Sequence, residues 1–247
     1  MLGCRRVRDS GPSMGPRAPE PAGTMHLALT DRLTCPRCGP DFGLILLAHV
    51  VRDQRVYEGE FGCSNCRDRY PVHGGFGDLR PRPRSPLNPD HPDSHPEDPD
   101  SEEAVKMAAL LGVTEGPGTL FLRGPRARYA SRISKMIKGV EVVGAHPDLA
   151  ALGDVEGVSR VATGLGIPFY SASFRGVLLS GGIEKGDMAE GARAVAPGGR
   201  VVVMDGPEAS AGWAEAAGLK VLLEEDGVVV GVREQAASGP LVTLRGF

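Results

Sequence analysis

Four of the chain's five cysteines fall into two close pairs, Cys35-Pro-Arg-Cys38 and Cys63-Ser-Asn-Cys66. Two residues between cysteines let one tight turn aim both sulfurs at a single ion, and two such turns complete a tetrahedron of thiolates. Four protein ligands leave no position for water, so the expected ion is structural, with zinc as the first choice. Iron suits four sulfurs as well, and a pair of redox-active CxxC motifs is the rival reading of the same residues. Gly39 suits the turn after the first pair. Arg37, Arg67 and Arg69 are placed to offset the negative charge that four thiolates leave on a divalent ion. The remaining cysteine, Cys4, stands alone near the start and carries no expected role.

A second group is basic. Arg123, Arg126, Arg128 and Arg132, followed by Lys135 and Lys138, lie along one expected loop and helix. The first three fall near the helix start, where backbone N–H groups also favour anions, so a phosphate or RNA contact is one reading. The plainer reading is a solvated basic helix face. His91 and His95 have a helical metal-ligand spacing, but the surrounding prolines forbid a helix. His146 reads as a loop histidine, and Ser171 and Ser173 have no evident base partner. No residue is assigned a catalytic role.

The elements that must position these groups follow from apolar patterning. Apolar runs at 119–122, 140–143, 158–162, 176–179 and 201–204 read as buried strands, and 219–223 with 228–232 reads as a hairpin about Asp226-Gly227. Helices are expected at 101–111, 126–138, 185–195 and 209–217, with Gly139 ending the second. Strands alternating with helices imply a parallel sheet covered on both faces.

Composition divides the 247 residues into a disordered tail (1–25), a cysteine-bearing segment (26–80), a linker (81–100), an α/β domain (101–235) and a second tail (236–247). The linker carries seven prolines, from Pro81 to Pro99, together with Asp90, Asp93, Glu97, Asp98 and Asp100, and cannot bury enough apolar surface to order itself. A formal net charge of −3 argues against binding nucleic acid by overall charge alone. No apolar run approaches the roughly 20 residues needed to cross a bilayer. Paired cysteines without a signal peptide point to a reducing compartment, and so to the cytoplasm.

The segments Leu33-Thr-Cys-Pro-Arg-Cys38 and Cys63-Ser-Asn-Cys66, followed by Tyr70-Pro-Val72, resemble the small zinc-ribbon activator of tRNA, rRNA and release-factor methyltransferases and the short bacterial zinc-ribbon proteins. The resemblance spans residues 29–80 and implies a module that binds and stabilises a methyltransferase. Where that family continues with a Gly-Ile-Pro-like turn, this chain has Gly75-Phe76-Gly77.

The α/β segment resembles the class I S-adenosylmethionine-dependent methyltransferases. The resemblance rests on strand order, the closing hairpin, Phe174-Arg-Gly-Val-Leu-Leu-Ser180 and Ala196-Pro-Gly-Gly-Arg-Val-Val-Val-Met-Asp205. It implies a cofactor site at Gly124, His146 and Asp205. In that family a strand-one acid precedes a Gly-x-Gly-x-Gly turn. Here Gly124 survives, Leu122 stands at the acid, and Arg126 and Arg128 stand at the later glycines. His146 replaces the acid that grips the ribose, and Arg175 replaces a frequent aspartate on strand four. Micromolar binding is about −8 kcal/mol, and each lost charged hydrogen bond removes roughly 1.5–3 kcal/mol. The expected protein is therefore a zinc ribbon fused to a Rossmann-like methyltransferase-type sheet that has lost its cofactor. It would work by binding a protein partner, a methyltransferase or ribosomal component, and not a membrane. The alternatives are an active methyltransferase with a divergent loop and an RNA-binding module using residues 123–138.

Overall fold

The computed structural model describes residues 25–87, 101–152, 155–164 and 166–235. The N-terminal tail up to residue 24, Cys4, His91, His95, most of the linker and the tail from 236 lie outside them.

In chain order the elements are β1 (Met25–His26), α1 (Leu27–Thr30), β2 (Thr34–Cys35), β3 (Gly39–Arg52), β4 (Arg55–Cys63), β5 (Arg69–His73), β6 (Phe76–Leu79), α2 (Ser101–Leu111), β7 (Gly118–Arg123), α3 (Ala130–Met136) and β8 (Val140–Ala145). They continue with β9 (Val158–Thr163), β10 (Phe174–Ser180), α4 (Lys185–Ala194), β11 (Val195–Met204), α5 (Ser210–Ala216), β12 (Lys220–Glu225) and β13 (Val228–Val232). Two 3-10 turns, Pro125–Tyr129 and Pro147–Ala151, precede α3 and follow β8.

Strands β9, β8, β7, β10 and β11 are parallel in that spatial order. β13 runs antiparallel to β11, with β12 outside it. This is the order and the reversed closing hairpin of a class I methyltransferase sheet. Its strands are apolar at successive positions because both faces are covered. Phe121, Val143, Val177, Leu179, Val201 and Val203 point into one core with residues of α4 and α5. Leu120, Leu122, Val142, Leu178, Val202 and Met204 point into the other, against α2 and α3.

The cysteine segment is an antiparallel meander, β2 to β6. β6 pairs in parallel with β9, Phe76 opposite Arg160 through Leu79 opposite Thr163. The meander therefore extends the α/β sheet, giving one continuous sheet of 13 strands among the described residues. The cores merge too: Leu33, Cys35, Phe61, Tyr70 and Val72 belong to the same buried cluster as Phe121, Phe169 and Phe174. At the seam Leu33 bridges Phe169, and the Thr34 N–H donates to the Pro168 carbonyl at 2.9 Å. Phe169 closes an aromatic triad with Phe121 and Phe174, centroids 4.9–5.8 Å apart. Met25, assigned above to the tail, is 1% exposed and, in β1, pairs with Val56.

Candidate functional site

The first candidate is the metal centre. Cys35 ends β2, Cys38 directly precedes β3, Cys63 ends β4, and Cys66 sits in the turn before β5. The four sulfurs lie within 4.8 Å of one another. Cys35 Sγ is 3.6 Å from Cys66 Sγ, and Cys38 Sγ is 3.8 Å from Cys63 Sγ. A tetrahedron with zinc–sulfur bonds of about 2.3 Å has edges of about 3.8 Å. The donor set and spacing thus fit a four-coordinate thiophilic ion.

The turns are built alike. Gly39 follows the first pair with φ +91°, and Arg67 follows the second with φ +59°. The Arg67 N–H donates to the Cys63 carbonyl, closing the second turn at 3.0 Å. Around the sulfurs, Asn65 Nδ2 donates to Cys38 Sγ at 3.4 Å, and the Tyr70 hydroxyl lies 3.5 Å from Cys35 Sγ. Burial raises the Cys35 thiol, but hydrogen bonds from Tyr70 and from the backbone N–H groups of Cys38 and Arg37 outweigh it and lower it to about 7. Burial pushes Cys66 up to about 12, and the Tyr70 hydroxyl also rises, first through burial and then through Cys35. Arg69, read above as a counter-charge to the thiolates, is instead paired with Glu60 at 2.5 Å.

The second candidate is the switch point of the parallel sheet. Strand order reverses between β7 and β10, and ligands of open α/β sheets bind in the crevice beyond the carboxyl ends of such strands. Gly124 sits at that end of β7 with φ +88°, and a Cβ there would stand 1.9 Å from the Ser180 carbonyl oxygen of β10. Ser180 Oγ donates to the Arg123 carbonyl at 2.9 Å and accepts the Arg126 N–H at 3.2 Å. These bonds sew the β7 loop to β10.

Arg126 then reaches across the strand ends. Its Nε and Nη2 donate to the two oxygens of Asp205, just beyond β11, at 2.9 and 3.2 Å, and its Nη1 pairs with Glu103 of α2. The Arg126 hydrogen bond holds the Asp205 carboxyl below its ordinary range. Arg123 is paired with Asp187 of α4. Arg128 lies over the Tyr129 ring, 5.3 Å from its centroid, and Arg132 also has an interaction partner. Arg123 and Arg126, expected to face a bound anion, are thus already matched by carboxylates.

His146 Nδ1 accepts the Asp148 N–H at 3.4 Å, capping the 3-10 turn that follows. Burial lowers its pKa, which suits a neutral ring acting as acceptor. Gly124 and Asp205 therefore converge at the switch point around Arg126, while His146 serves the turn after β8. Arg175 lies at the opposite, N-terminal end of β10 and donates to the Glu115 and Pro117 carbonyls. The partners that the sequence did not supply are Asp187 for Arg123 and Glu103 for Arg126. The only signal for the two acids is their place in the first turns of helices, where carboxylates are common for dipole reasons.

Fold and site together define a methyltransferase-like α/β protein bearing a four-thiol cluster. Among solved structures the chain is similar to one from the complex between the Haloferax volcanii Trm112 methyltransferase activator and a methyltransferase: 18% identity, TM-score 0.44, 53% of this chain and 89% of that one. A SAM-dependent methyltransferase from Aquifex aeolicus gives 18% identity and TM-score 0.43 over 53% of this chain and 88% of that one. A sarcosine dimethylglycine methyltransferase from Galdieria sulphuraria gives 16% and 0.38, over 50% of this chain and 62% of that one. No family model and no curated protein matches the sequence.

Proposed function

We propose that the protein is a zinc-binding, non-catalytic methyltransferase-like module that acts by binding a protein partner in methylation or ribosome-related machinery. The observation that carries the reading is Arg126, whose guanidinium spans from the β7 loop to Asp205 and Glu103 where a nucleoside would need bare backbone and a carboxylate. Cys35, Cys38, Cys63 and Cys66 would hold the zinc, which supplies folding energy by cross-linking β2, β3, β4 and the turn before β5. The partner class comes from the ribbon's resemblance to methyltransferase activators. The parallel pairing of β6 with the chain's own β9 supports a role for the ribbon in bracing its own α/β sheet.

Titration calorimetry of the zinc-loaded protein with S-adenosylmethionine tests the reading. No saturation is expected below about 1 mM. Saturation in the micromolar range overturns the proposal in favour of an active methyltransferase.

A further inference from the structure

A cavity of about 630 Å³ opens at the end of the sheet opposite the switch point, between the ribbon's first residues and the N-terminal ends of β7 and β8. That volume lies in the range of small-molecule sites, roughly 300–1,000 Å³. We propose that it binds a small phosphomonoester, a phosphate on a compact, partly apolar body.

The charges lining it are unevenly matched. Arg55 is held by Glu141 through two bonds, at 3.1 and 3.0 Å, and Glu141 also accepts from Ser159. That pair is internally neutral. Arg32 is different: its Nη1 donates to Thr119 Oγ1 at 3.2 Å and to the Ser173 carbonyl at 3.1 Å, both uncharged acceptors. Its Nε and Nη2 have no partner among the described residues. Lys135, in the last turn of α3, has no hydrogen bond or ion pair among the described residues, and it lines the same cavity. The only other acid in the wall is Glu156, on the exposed rim.

His26 adds a donor. Its Nδ1 accepts the Ala28 N–H at 3.1 Å, which leaves the proton of the neutral ring on Nε2. Arg32, Lys135 and His26, which carry a guanidinium, an ammonium and a ring N–H, thus line one cavity. A carboxylate is satisfied by a single arginine fork, whereas a phosphate has enough oxygens to engage all three groups at once. Leu29, Pro117 and Val140 supply an apolar wall for the ligand's body. The inference is independent of the Arg126 reading, because the two places lie at opposite ends of the strands.

The test uses the full-length, zinc-loaded protein with adenosine 5′-monophosphate as probe, followed by calorimetry and thermal shift. Saturation is expected below about 1 mM, with adenosine showing none. Lys135→Gln, at an exposed position, is expected to keep the ligand-free melting temperature and to weaken the probe about tenfold through one lost charged hydrogen bond. Arg32→Gln should weaken it further. Absence of binding at about 10 mM, or equal affinity in Lys135→Gln, overturns the proposal; the second result would place the anion elsewhere on the molecule.

Discussion

Gly39 and Arg67 hold equivalent places, each directly after the second cysteine of its pair, and both have left-handed backbone. A residue with a Cβ loses about 1–2 kcal/mol in that conformation. No atom lies within 4 Å of a Cβ built on Gly39, so Gly39→Ala isolates the backbone cost. It should destabilise the metal-loaded protein by that amount in urea unfolding, while Arg67→Gly should stabilise it by about 0.5 kcal/mol after the added freedom of the unfolded chain is subtracted. At the other site, Arg126→Met leaves Glu103 and Asp205 unpaired. The Asp205 side chain is 66% exposed, so solvent screening limits its share, and a loss of roughly 1 kcal/mol is expected, mostly through Glu103. Because Arg126 depresses the Asp205 carboxyl in the folded state, this pair's stabilisation is full above the ordinary aspartate value and disappears as pH falls through the folded value. The gap between wild type and Arg126→Met should therefore narrow in acid. A gap that does not change with pH would show that the salt bridge carries none of it.

At the level of elements, the loop after β7 depends on β10. Ser180 is 3% exposed and satisfies both the Arg123 carbonyl and the Arg126 N–H, so Ser180→Ala should cost about 1–3 kcal/mol and loosen the 3-10 turn to hydrogen exchange. The strands around this loop were legible in the sequence because both faces are buried: apolar runs such as Leu120-Phe-Leu122 have no other stable use. The helix expected at 126–138 was not legible in detail. Its first turn tightens into the 3-10 turn Pro125–Tyr129, since the Ala127 N–H bonds back to the Gly124 carbonyl and Ser180 takes the Arg126 N–H. That contact depends on a residue over fifty positions away. The two cysteine turns were readable from spacing because each is local, while the pairing of β3 with β4 brings them together into one cluster. The long hairpin of β3 and β4 is not among the expected elements, although β3 contains the aliphatic run 44–47. With several of its β3 side chains facing solvent, the strand lacks the polar alternation that marks a half-buried hairpin.

On the scale of the whole molecule, the four-cysteine cluster and the parallel sheet share one core through Leu33, Phe169 and Phe121. Binding of the proposed metal by the four cysteines should therefore stabilise the entire chain, and its removal should lower that stability. Chelator treatment, or Cys63→Ser, is expected to shift a single unfolding transition to lower temperature by calorimetry, with amides of β9 losing protection alongside those of β6. Two separate transitions, one insensitive to chelator, would show that the parts fold independently. The pairing of β6 with β9 has a further consequence. A strand tethered to its own dock is present there at an effective concentration in the millimolar range or above, whatever the protein's abundance. A second strand approaching the same edge of β9 would meet a tethered competitor that never dilutes away. That edge of the sheet is thereby closed to strands from other molecules at any concentration of the protein.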